Sequence, residues 1–424
     1  MVEMLPYILF GTFVVFLLLK VPVSFCLGIS SLMCLAILNM PLNVVSQRMF
    51  VSLDSFSIMA IPLFILAGNI MTEGGMSRRL IGVAEAVLGN IKGGLAMAAI
   101  LACAFFAALS GSGPATVVAI GGMLYPEMVR KGYPDYQMAG LVTVAGGLGP
   151  IIPPSIIMVV YATMTDTSIT DLFTAGFVAG GLMLIALLVV AWWQGKRHDW
   201  PVANTKFSWG YFGKMLKESF WALLMPIIVL GGIYGGIFTA TEAAAVAVAY
   251  SLIIGCFVYR TVKIRSLYSM LRDSAVASSV ILFIMATSSV FSWLFTVSGI
   301  SKMIVGGMQS AGLGYYAVLL IITVVLLIFG FFLEGIATVL LLIPLFWPVA
   351  QSVGIDPVHM GMIVTITNVV GCMTPPVAVN IFACSTYSKL PVEKIGKGEI
   401  PYLLTMVGIL MLIVLVPQFT TFMN

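Results

Sequence analysis

The chain carries one apolar segment twice, and this duplication restricts the possible folds more than any other feature of the sequence. Residues 113–160 match residues 335–382 without a gap, with about a dozen identities in about 48 positions. The helix-breaking residues correspond pairwise: Gly149, Pro153 and Pro154 align with Gly371, Pro375 and Pro376. Two halves that are interrupted at matching depth usually hold a solute between them. The repeat therefore indicates a secondary transporter.

Composition indicates that the solvent of this chain is a lipid bilayer. Of the 424 residues, 61% are hydrophobic and only 8% are charged, so we expect an integral membrane protein throughout. The six cysteines lie in apolar runs without metal-ligand spacing, and we interpret them as packing residues. The net charge of +4 arises from basic residues that flank membrane segments, so nucleic acid is not expected as a partner.

The apolar runs predict an all-α polytopic fold. Spanning helices are expected near residues 5–19, 21–39, 57–73, 170–194, 218–239, 240–260, 278–296 and 400–420. Two broken helices are expected near 133–163 and 355–387, and two re-entrant hairpins near 92–130 and 313–351. Amphipathic stretches too short to span are predicted to lie flat at the interface, near 43–56, 76–91, 263–277 and 299–312.

The distribution of basic residues predicts the orientation. With the N-terminus outside, all lysines and arginines except Arg48 and Lys302 fall on the cytoplasmic side. This asymmetry requires the two halves to be inverted, so that the first hairpin opens inward and the second outward. Both termini are then expected in the periplasm.

The repeat also predicts how the chain is divided. The first half is expected at 1–195, with an arm at 1–91, a hairpin and broken helix at 92–165, and a helix at 170–194. Residues 196–217 are interpreted as a cytoplasmic linker. The second half is expected at 218–424, with an arm at 218–312, a hairpin and broken helix at 313–388, and a last helix at 400–420.

Helix is broken at four places inside apolar sequence, in two symmetric pairs. The two hairpin tips break at 110–114 and 332–335, and the two broken helices break at 146–154 and 368–376. Unwound chain in hydrocarbon is tolerated only where it lines a cavity or binds something. Carbonyl ends of half-helices and hydroxyl groups offer oxygen ligands to a small hard cation. The first copy predicts a sodium site in which Ser110 and Ser112 face the carbonyls of Gly149, Ile152 and Pro154. The second copy predicts another sodium site, formed by Gly335, Thr338, Gly371, Thr374 and Pro376.

Glu334 is the one carboxylate that the predicted topology places within the membrane, where ionised groups are costly and generally functional. It is expected to hold a cation, to carry a proton, to pair with a backbone amide at its hairpin tip, or to cap the half-helix that follows. The candidate solute contacts are Thr116, Thr163, Glu334 and Asn380. Hydroxyls on membrane helices also commonly bond to their own backbone, and this alternative stays open for the threonines.

Five stretches carry a family resemblance: 54–64, 110–116, 149–155, 231–243 and 374–376 with Asn380. Together they resemble the large membrane subunit of a tripartite ATP-independent periplasmic (TRAP) transporter, over nearly the whole chain. One position departs from the family pattern, since Ala240 stands where proline is common. We see no consequence of this change for the site.

The resemblance implies a function and its partners. The family imports organic acids into bacteria, sialic acids and C4-dicarboxylates among them, and uptake is driven by sodium. A soluble periplasmic protein delivers the substrate, and a small four-helix subunit packs against the large one in the inner membrane. The fold is similar to that of the divalent-anion/sodium symporters, with an elevator-type movement of hairpins and broken helices. Family sodium sites at hairpin tips and helix breaks carry over to the Ser110/Ser112 and Gly335/Thr374 clusters.

Two other transporter classes remain open from the sequence. A stand-alone anion/sodium symporter would differ only in needing no binding protein. A cation/proton antiporter would use Glu334 as its proton carrier. An intramembrane enzyme is disfavoured, because the two histidines, His198 in the linker and His359 near the end of a broken helix, form no catalytic cluster with other residues. We therefore expect a carrier and not an enzyme.

Overall fold

The computed structural model is helical in all of its regular elements, as far as it describes the chain. It describes all residues except 1–4, 89–90, 203–207, 300–302, 304, 308–309, 376–377 and 423–424. The predicted interfacial helix near 299–312 therefore lies largely outside the described residues.

The helices before the linker are, in order, α1 (Leu5–Leu18), α2 (Val23–Ile37), α3 (Asn43–Leu53), α4 (Ala60–Glu73), α5 (Met76–Leu88), α6 (Gly94–Ser110), α7 (Gly113–Thr116), α8 (Gly122–Arg130), α9 (Asp135–Gly146), α10 (Ile156–Thr165) and α11 (Ile169–Arg197). A 3-10 turn, Phe56–Met59, leads into α4. A π-helical turn, Val117–Gly121, joins α7 to α8. The segment from Gly113 to Arg130 is therefore one continuous helical segment with a local π-bulge.

The helices after the linker are α12 (Trp209–Tyr234), α13 (Ala240–Ile253), α14 (Ile264–Val297), α15 (Tyr315–Gly330), α16 (Gly335–Ser352), α17 (Pro357–Met373), α18 (Val379–Ser388), α19 (Val392–Leu415) and α20 (Gln418–Thr421). A π-helical turn, Ile254–Val258, extends α13. The pair α15 and α16 occupies the place of α6 to α8 in the repeat, and α17 and α18 the place of α9 and α10.

Seven helices in the described residues are long and apolar enough to cross a membrane: Phe56–Glu73, Ile169–Arg197, Trp209–Tyr234, Ala240–Val258, Arg265–Val297, Gly335–Ser352 and Val392–Leu415. Six shorter apolar helices accompany them, among them α1, α2 and α17. These helices confirm the expected polytopic membrane protein. The inverted orientation of the halves and the re-entrant course of the hairpins stay predictions.

Helix α14 differs from the sequence prediction. Residues 263–277 were expected to form a separate interfacial helix, but α14 runs without interruption for 34 residues. The reason is local: no glycine or proline occurs between Ile264 and Val297, so nothing breaks the helix. At 1.5 Å per residue α14 is about 50 Å long, well beyond the roughly 30 Å of hydrocarbon in a bilayer.

Glycine and proline produce the interruptions in the first copy. Helix α6 ends at Ser110, and Gly111 follows with a φ of +60°, a conformation that favours glycine. Pro114 then sits in the first turn of α7, where its missing amide is not needed. Between α9 and α10 lies a loop with a cis bond between Pro153 and Pro154. Ser155 restarts the helix, because its Oγ accepts from the Met158 amide at 3.4 Å.

The two broken helices form the centre of the molecule. Every residue from Met138 to Gly146 in α9 and from Val358 to Gly371 in α17 is buried. Helices that are apolar all round belong in a core, so these segments are covered by other helices on every side. Helix α9 packs against α6 and α19, and α17 packs against α15 and α16. This packing holds the ends of both broken helices beside the hairpin tips.

Candidate functional site

A cavity of about 280 Å³ lies where both hairpin tips and both helix breaks meet. The two hairpin tips and the second broken helix line it with polar side chains: Ser110, Ser112, Glu334, Asn368, Cys372 and Asn380. The first break contributes Gly147 and Pro150. The opposite wall comes from the arms, with Asn69 and Thr72 on α4 and Ile281 on α14. Asn69 donates to Ser274 Oγ at 2.7 Å, which ties α4 to α14. The volume is near the lower end of the range for small-molecule sites.

The first hairpin tip is closed by hydroxyl groups. Ser110 Oγ lies 3.0 Å from Thr116 Oγ1. Thr116 Oγ1 in turn donates to the Ser112 carbonyl at 2.7 Å. Thr116, a predicted solute contact, is fully buried, and its hydroxyl is occupied by these two bonds. It therefore shapes the tip, while Ser112 faces the cavity.

The tip packs directly on the first break. A Cβ at Gly149 would lie 2.6 Å from the Ser112 carbonyl oxygen, so backbone touches backbone there. A Cβ at Gly111 would lie 2.8 Å from the Pro154 carbonyl oxygen. The structure thus brings together four members of the first predicted sodium cluster, Ser110, Ser112, Gly149 and Pro154. Its fifth member, Ile152, lies on the same loop.

The second tip is organised differently. Asn368 Nδ2 donates to the Gly335 carbonyl at 2.5 Å, and Thr338 Oγ1 donates to the Glu334 carbonyl at 3.3 Å. Gly371 packs on Gly330 of α15, where an added Cβ would lie 2.7 Å from the Gly330 Cα. The prediction also named Thr374 and Pro376. Thr374 Oγ1 donates to its own backbone at Val370, 2.7 Å away, and Pro376 lies outside the described residues.

Two asparagines of the second broken helix each contact the glycine of one hairpin tip. A Cβ at Gly113 would lie 3.1 Å from Asn380 Oδ1, and a Cβ at Gly335 would lie 3.3 Å from Asn368 Oδ1. Asn380 Nδ2 donates to the Thr143 carbonyl at 3.3 Å. Asn380 Oδ1 is buried without a hydrogen-bond partner among the described residues. Such an oxygen is costly to leave unpaired, and a bound ion or hydrogen-bond donor would satisfy it.

Asn368 was missed as an individual site residue by sequence reasoning, although it begins the predicted break at 368–376. Its signal was present, because an asparagine inside a continuous apolar run needs hydrogen bonds that only tertiary structure supplies. The alignment of the two copies did not indicate it, because Asn368 aligns with Gly146 in the first copy.

Glu334 opens onto the cavity. The carboxylate lies beside the Ile336 and Ala337 amides at the start of α16, but no capping hydrogen bond closes between them. Among the described residues that line the cavity, Glu334 carries the only formal charge, and no lysine or arginine faces it. With the free oxygen of Asn380, the cavity offers hydrogen-bond acceptors and negative charge, a donor set that suits a cation.

Two further residues depart from the sequence predictions. Thr163 lines a separate crevice to which Arg48 also contributes, and its hydroxyl donates to the Val160 carbonyl at 2.8 Å. Glu399 was expected before the last helix, but α19 already begins at Val392 and buries Glu399 to 1% exposure. Glu334 is therefore not the only carboxylate in an apolar helical region. The early start places the acidic Glu393 in the first turn of α19, and Gly398 lets the helix pack directly on α9, where an added Cβ would overlap the Tyr136 carbonyl oxygen.

Comparisons with known proteins agree with this architecture. A solved structure of the YdaH transporter from Alcanivorax borkumensis superposes with a TM-score of 0.63, covering 88% of each chain at 14% identity. A structure of MtrF from Neisseria gonorrhoeae gives a TM-score of 0.60 at 11% identity, covering 87% of this chain and 83% of that one. At such identities the likeness concerns the fold alone.

Sequence comparison identifies the family. The isethionate TRAP transporter permease protein DctMQ of Oleidesulfovibrio alaskensis is 41% identical over 422 residues, which cover 99% of this chain and 66% of that protein. The C4-dicarboxylate TRAP transporter large permease protein DctM of Rhodobacter capsulatus is 38% identical, over 97% of this chain and 96% of that one. The sialic acid TRAP transporter large permease protein SiaM of Vibrio cholerae is 33% identical, over 94% and 93%. A family model described as tripartite ATP-independent periplasmic transporter, DctM component, matches residues 10–419. The chain therefore belongs to the DctM family of TRAP transporter large permease proteins.

Proposed function

We propose that this chain is the membrane carrier of a sodium-coupled importer of small organic acids. The observation that carries the proposal is the central cavity, which both hairpin tips and both helix breaks line, and beside which Asn380 has an oxygen without a hydrogen-bond partner among the described residues. A bound cation would satisfy these acceptors. It also has the position that a solute occupies between two repeats.

Sodium is the cation that fits the available ligands. The first cluster, Ser110, Ser112, Gly149, Ile152 and Pro154, offers hydroxyl and carbonyl oxygens, and the second adds Gly335, Thr338, Gly371, Thr374 and Pro376. Neutral oxygens of this kind suit hard ions, and the scarcity of carboxylates favours a single over a double positive charge. Bound sodium would supply the positive charge that the side chains of the cavity do not.

An organic acid fits the same arrangement. The described lining contains no lysine or arginine, so the acidic group depends on sodium and on the helix N-termini at Gly113 and Gly335. Sodium and the acid then stabilise each other, because each offsets the charge of the other. The relatives named for isethionate, C4-dicarboxylate and sialic acid support an acidic solute, and we propose one of the sialic acid or C4-dicarboxylate type.

The proposed assembly follows the family. A periplasmic binding protein delivers the acid, and a small four-helix subunit packs beside this chain in the bacterial inner membrane, with both termini in the periplasm. We propose an elevator movement in which the hairpins and broken helices slide along the arms. The cavity supports this, because one wall is formed by the interruptions and the other by α4 and α14.

The function can be tested in proteoliposomes that contain the chain with its small subunit. Labelled sialic acid, succinate and isethionate are offered, with sodium and a binding protein varied separately. We expect uptake of at least one acid that requires both sodium and a binding protein. Sodium-driven uptake without a binding protein would instead identify a stand-alone symporter. No sodium dependence for any transported acid would contradict the coupling proposed here.

Cys372 provides a native probe of the cavity. Its side chain lines the cavity, whereas Cys26, Cys34, Cys103 and Cys384 are buried and the half-buried Cys256 is not part of the cavity lining. We expect a small water-soluble thiol reagent to modify Cys372, and sodium with the transported acid to slow the modification by about fivefold or more, because they occupy the same space. Mass spectrometry measures the modified fraction. The Cys372→Ser variant is the control, and labelling that ignores both ligands would contradict the assigned cavity.

The Glu334→Gln variant distinguishes the proposed symport from cation/proton antiport. Antiport is the alternative favoured by a carboxylate that is open to the cavity. If its charge supports a bound cation, Glu334 contributes about 1 to 3 kcal/mol to the free energy of sodium binding. Its loss should then raise the half-saturating sodium concentration roughly tenfold and leave some uptake. Glu393→Gln is the matched control, since Glu393 is exposed at the start of α19. Complete loss of transport with unchanged sodium binding would favour the antiporter.

A further inference from the structure

A second crevice, of about 680 Å³, lies between the arm helices α3 and α14 on one side and α10 and α16 on the other. Its wall includes Arg48, Thr163, Ser288, Ser292 and Leu340, and we refer to it as the second crevice. The prediction of Thr163 as a solute contact falls here and not in the central cavity. The function proposed above uses none of the arm residues that line it.

Helix α14 lines both spaces. Ile281 faces the central cavity, and Ser292 faces the second crevice. These residues are eleven positions apart, about 16 Å along the helix axis. The two spaces therefore lie one after the other along the same arm helix. Parts that slide along α14 would carry a solute from one space towards the other.

A line of hydroxyl groups marks the side of α14 that faces the second crevice. Ser288, Ser292 and Thr296 follow one another at intervals of four residues, which places them on one face of the helix. Ser288 Oγ donates to the Leu340 carbonyl of α16, so it bridges the arm and the second hairpin. Ser292 and Thr296 stay partly or fully exposed in the crevice. Thr296 Oγ1 donates to the Ser292 carbonyl at 3.2 Å, while the Ser292 hydroxyl remains for a solute.

Arg48 supplies the positive charge of the second crevice. Its guanidinium carbon lies 5.2 Å from the ring centre of Trp293, a stacking contact that orients the side chain. Asp166 lines the same crevice, yet in the described part of the chain no ion pair joins it to Arg48. The donor groups of Arg48 therefore remain available. A guanidinium presents two parallel donors that match a carboxylate or a sulfonate.

We propose that the second crevice is a binding site for the acidic group of the transported organic anion, with Arg48 as the residue that binds it. This inference rests on the proposed function, and it assigns to the arms a positive charge that the described lining of the central cavity does not contain. Arg48 attracts the anion at one end of its path, and the hydroxyl line of α14 accompanies it. With the orientation proposed above, that end faces the periplasm.

The first test measures the charge selectivity of the second crevice without relying on transport. Ser292→Cys is labelled with two methanethiosulfonates, one bearing a sulfonate and one a quaternary ammonium group. If Arg48 attracts anions, Arg48→Gln should lower the ratio of the two labelling rates by at least about fivefold. Arg272→Gln is the control, because Arg272 is exposed and held by Asp273 at 2.9 Å. An unchanged ratio in Arg48→Gln overturns the proposal.

The second test uses the solutes themselves. Isethionate or succinate should slow the labelling of Ser292→Cys when Arg48 is present and should lose most of this effect in Arg48→Gln. Arg48→Lys should restore part of it, since the charge remains and the paired donors are lost. If neither acid protects at any concentration, or if Arg48→Gln alters only the affinity of the binding protein, the crevice is not an anion site.

The tests keep this proposal separate from the proposed function. Charge-selective labelling that depends on Arg48 supports the crevice site even where no acid is taken up in proteoliposomes. Uptake that depends on sodium while Arg48→Gln leaves its half-saturating solute concentration unchanged supports the carrier function and overturns the crevice site. For a solute bound through Arg48 we expect that concentration to rise about tenfold in Arg48→Gln.

Discussion

Gly149→Ala is expected to reduce sodium-dependent uptake by at least about tenfold while the chain still inserts into the membrane. The added methyl group would lie 2.6 Å from the Ser112 carbonyl oxygen, which is a backbone atom and has no side-chain freedom to move aside. The first hairpin tip must therefore shift away from the first break. Because both contribute oxygens to the predicted sodium cluster, a displacement of a few tenths of an ångström already changes the ligand distances.

Gly122→Ala is the matched control for this variant. Gly122 belongs to the same hairpin, and nothing lies within 4 Å of a Cβ at this position. Sodium-dependent uptake in proteoliposomes, measured for equal amounts of inserted protein, compares the two. Equal uptake by Gly149→Ala and Gly122→Ala would show that contact between tip and break has no part in sodium coupling.

Asn380→Ala is expected to raise the half-saturating sodium concentration by about tenfold or more and to weaken uptake. The change removes an amide oxygen that is buried without a partner among the described residues, and it also leaves the Thr143 carbonyl without the Asn380 donor. Loss of a cation ligand lowers the affinity for sodium, whereas a general loss of stability lowers the amount of active protein. Sodium titrations of uptake separate these two effects.

Asn43→Ala serves as the control for Asn380→Ala. Asn43 is exposed at the start of α3, so its removal should leave the sodium dependence unchanged. An Asn380→Ala carrier with the sodium dependence of the original chain would remove Asn380 from the ion site. The cavity would then need another explanation for the unpaired oxygen.

Much of the helical organisation could be predicted because it depends on local sequence. Apolar runs long enough to cross a bilayer, and glycine and proline at the ends of α6, α9 and α17, indicated where helices run and where they stop. Duplicated breaks further predicted that Ser110, Ser112, Gly149 and Pro154 would lie together, and the tip and loop do meet there. The family resemblance from the motifs was confirmed over residues 10–419.

Sequence reasoning was less successful where helix length was involved. The stretch 263–277 looked like an interfacial helix because its polar residues interrupt the apolar pattern, but backbone hydrogen bonds continue through it into α14. Likewise, α19 begins before the apolar run that predicted it, and this places Glu399 in a buried position. Hydropathy reports which residues tolerate lipid, and it does not report where a helical hydrogen-bond pattern ends.

By itself, the sequence determined the class of protein, the family and the positions of the interruptions, since these follow from composition, local backbone preference and motif. Only the tertiary structure decided which groups meet across the molecule. Asn368 and Asn380 lie on one broken helix but contact different hairpin tips, and Thr163 faces a crevice separate from the central cavity. Such pairings depend on how helices pack over long sequence distances, which single-sequence periodicity does not encode.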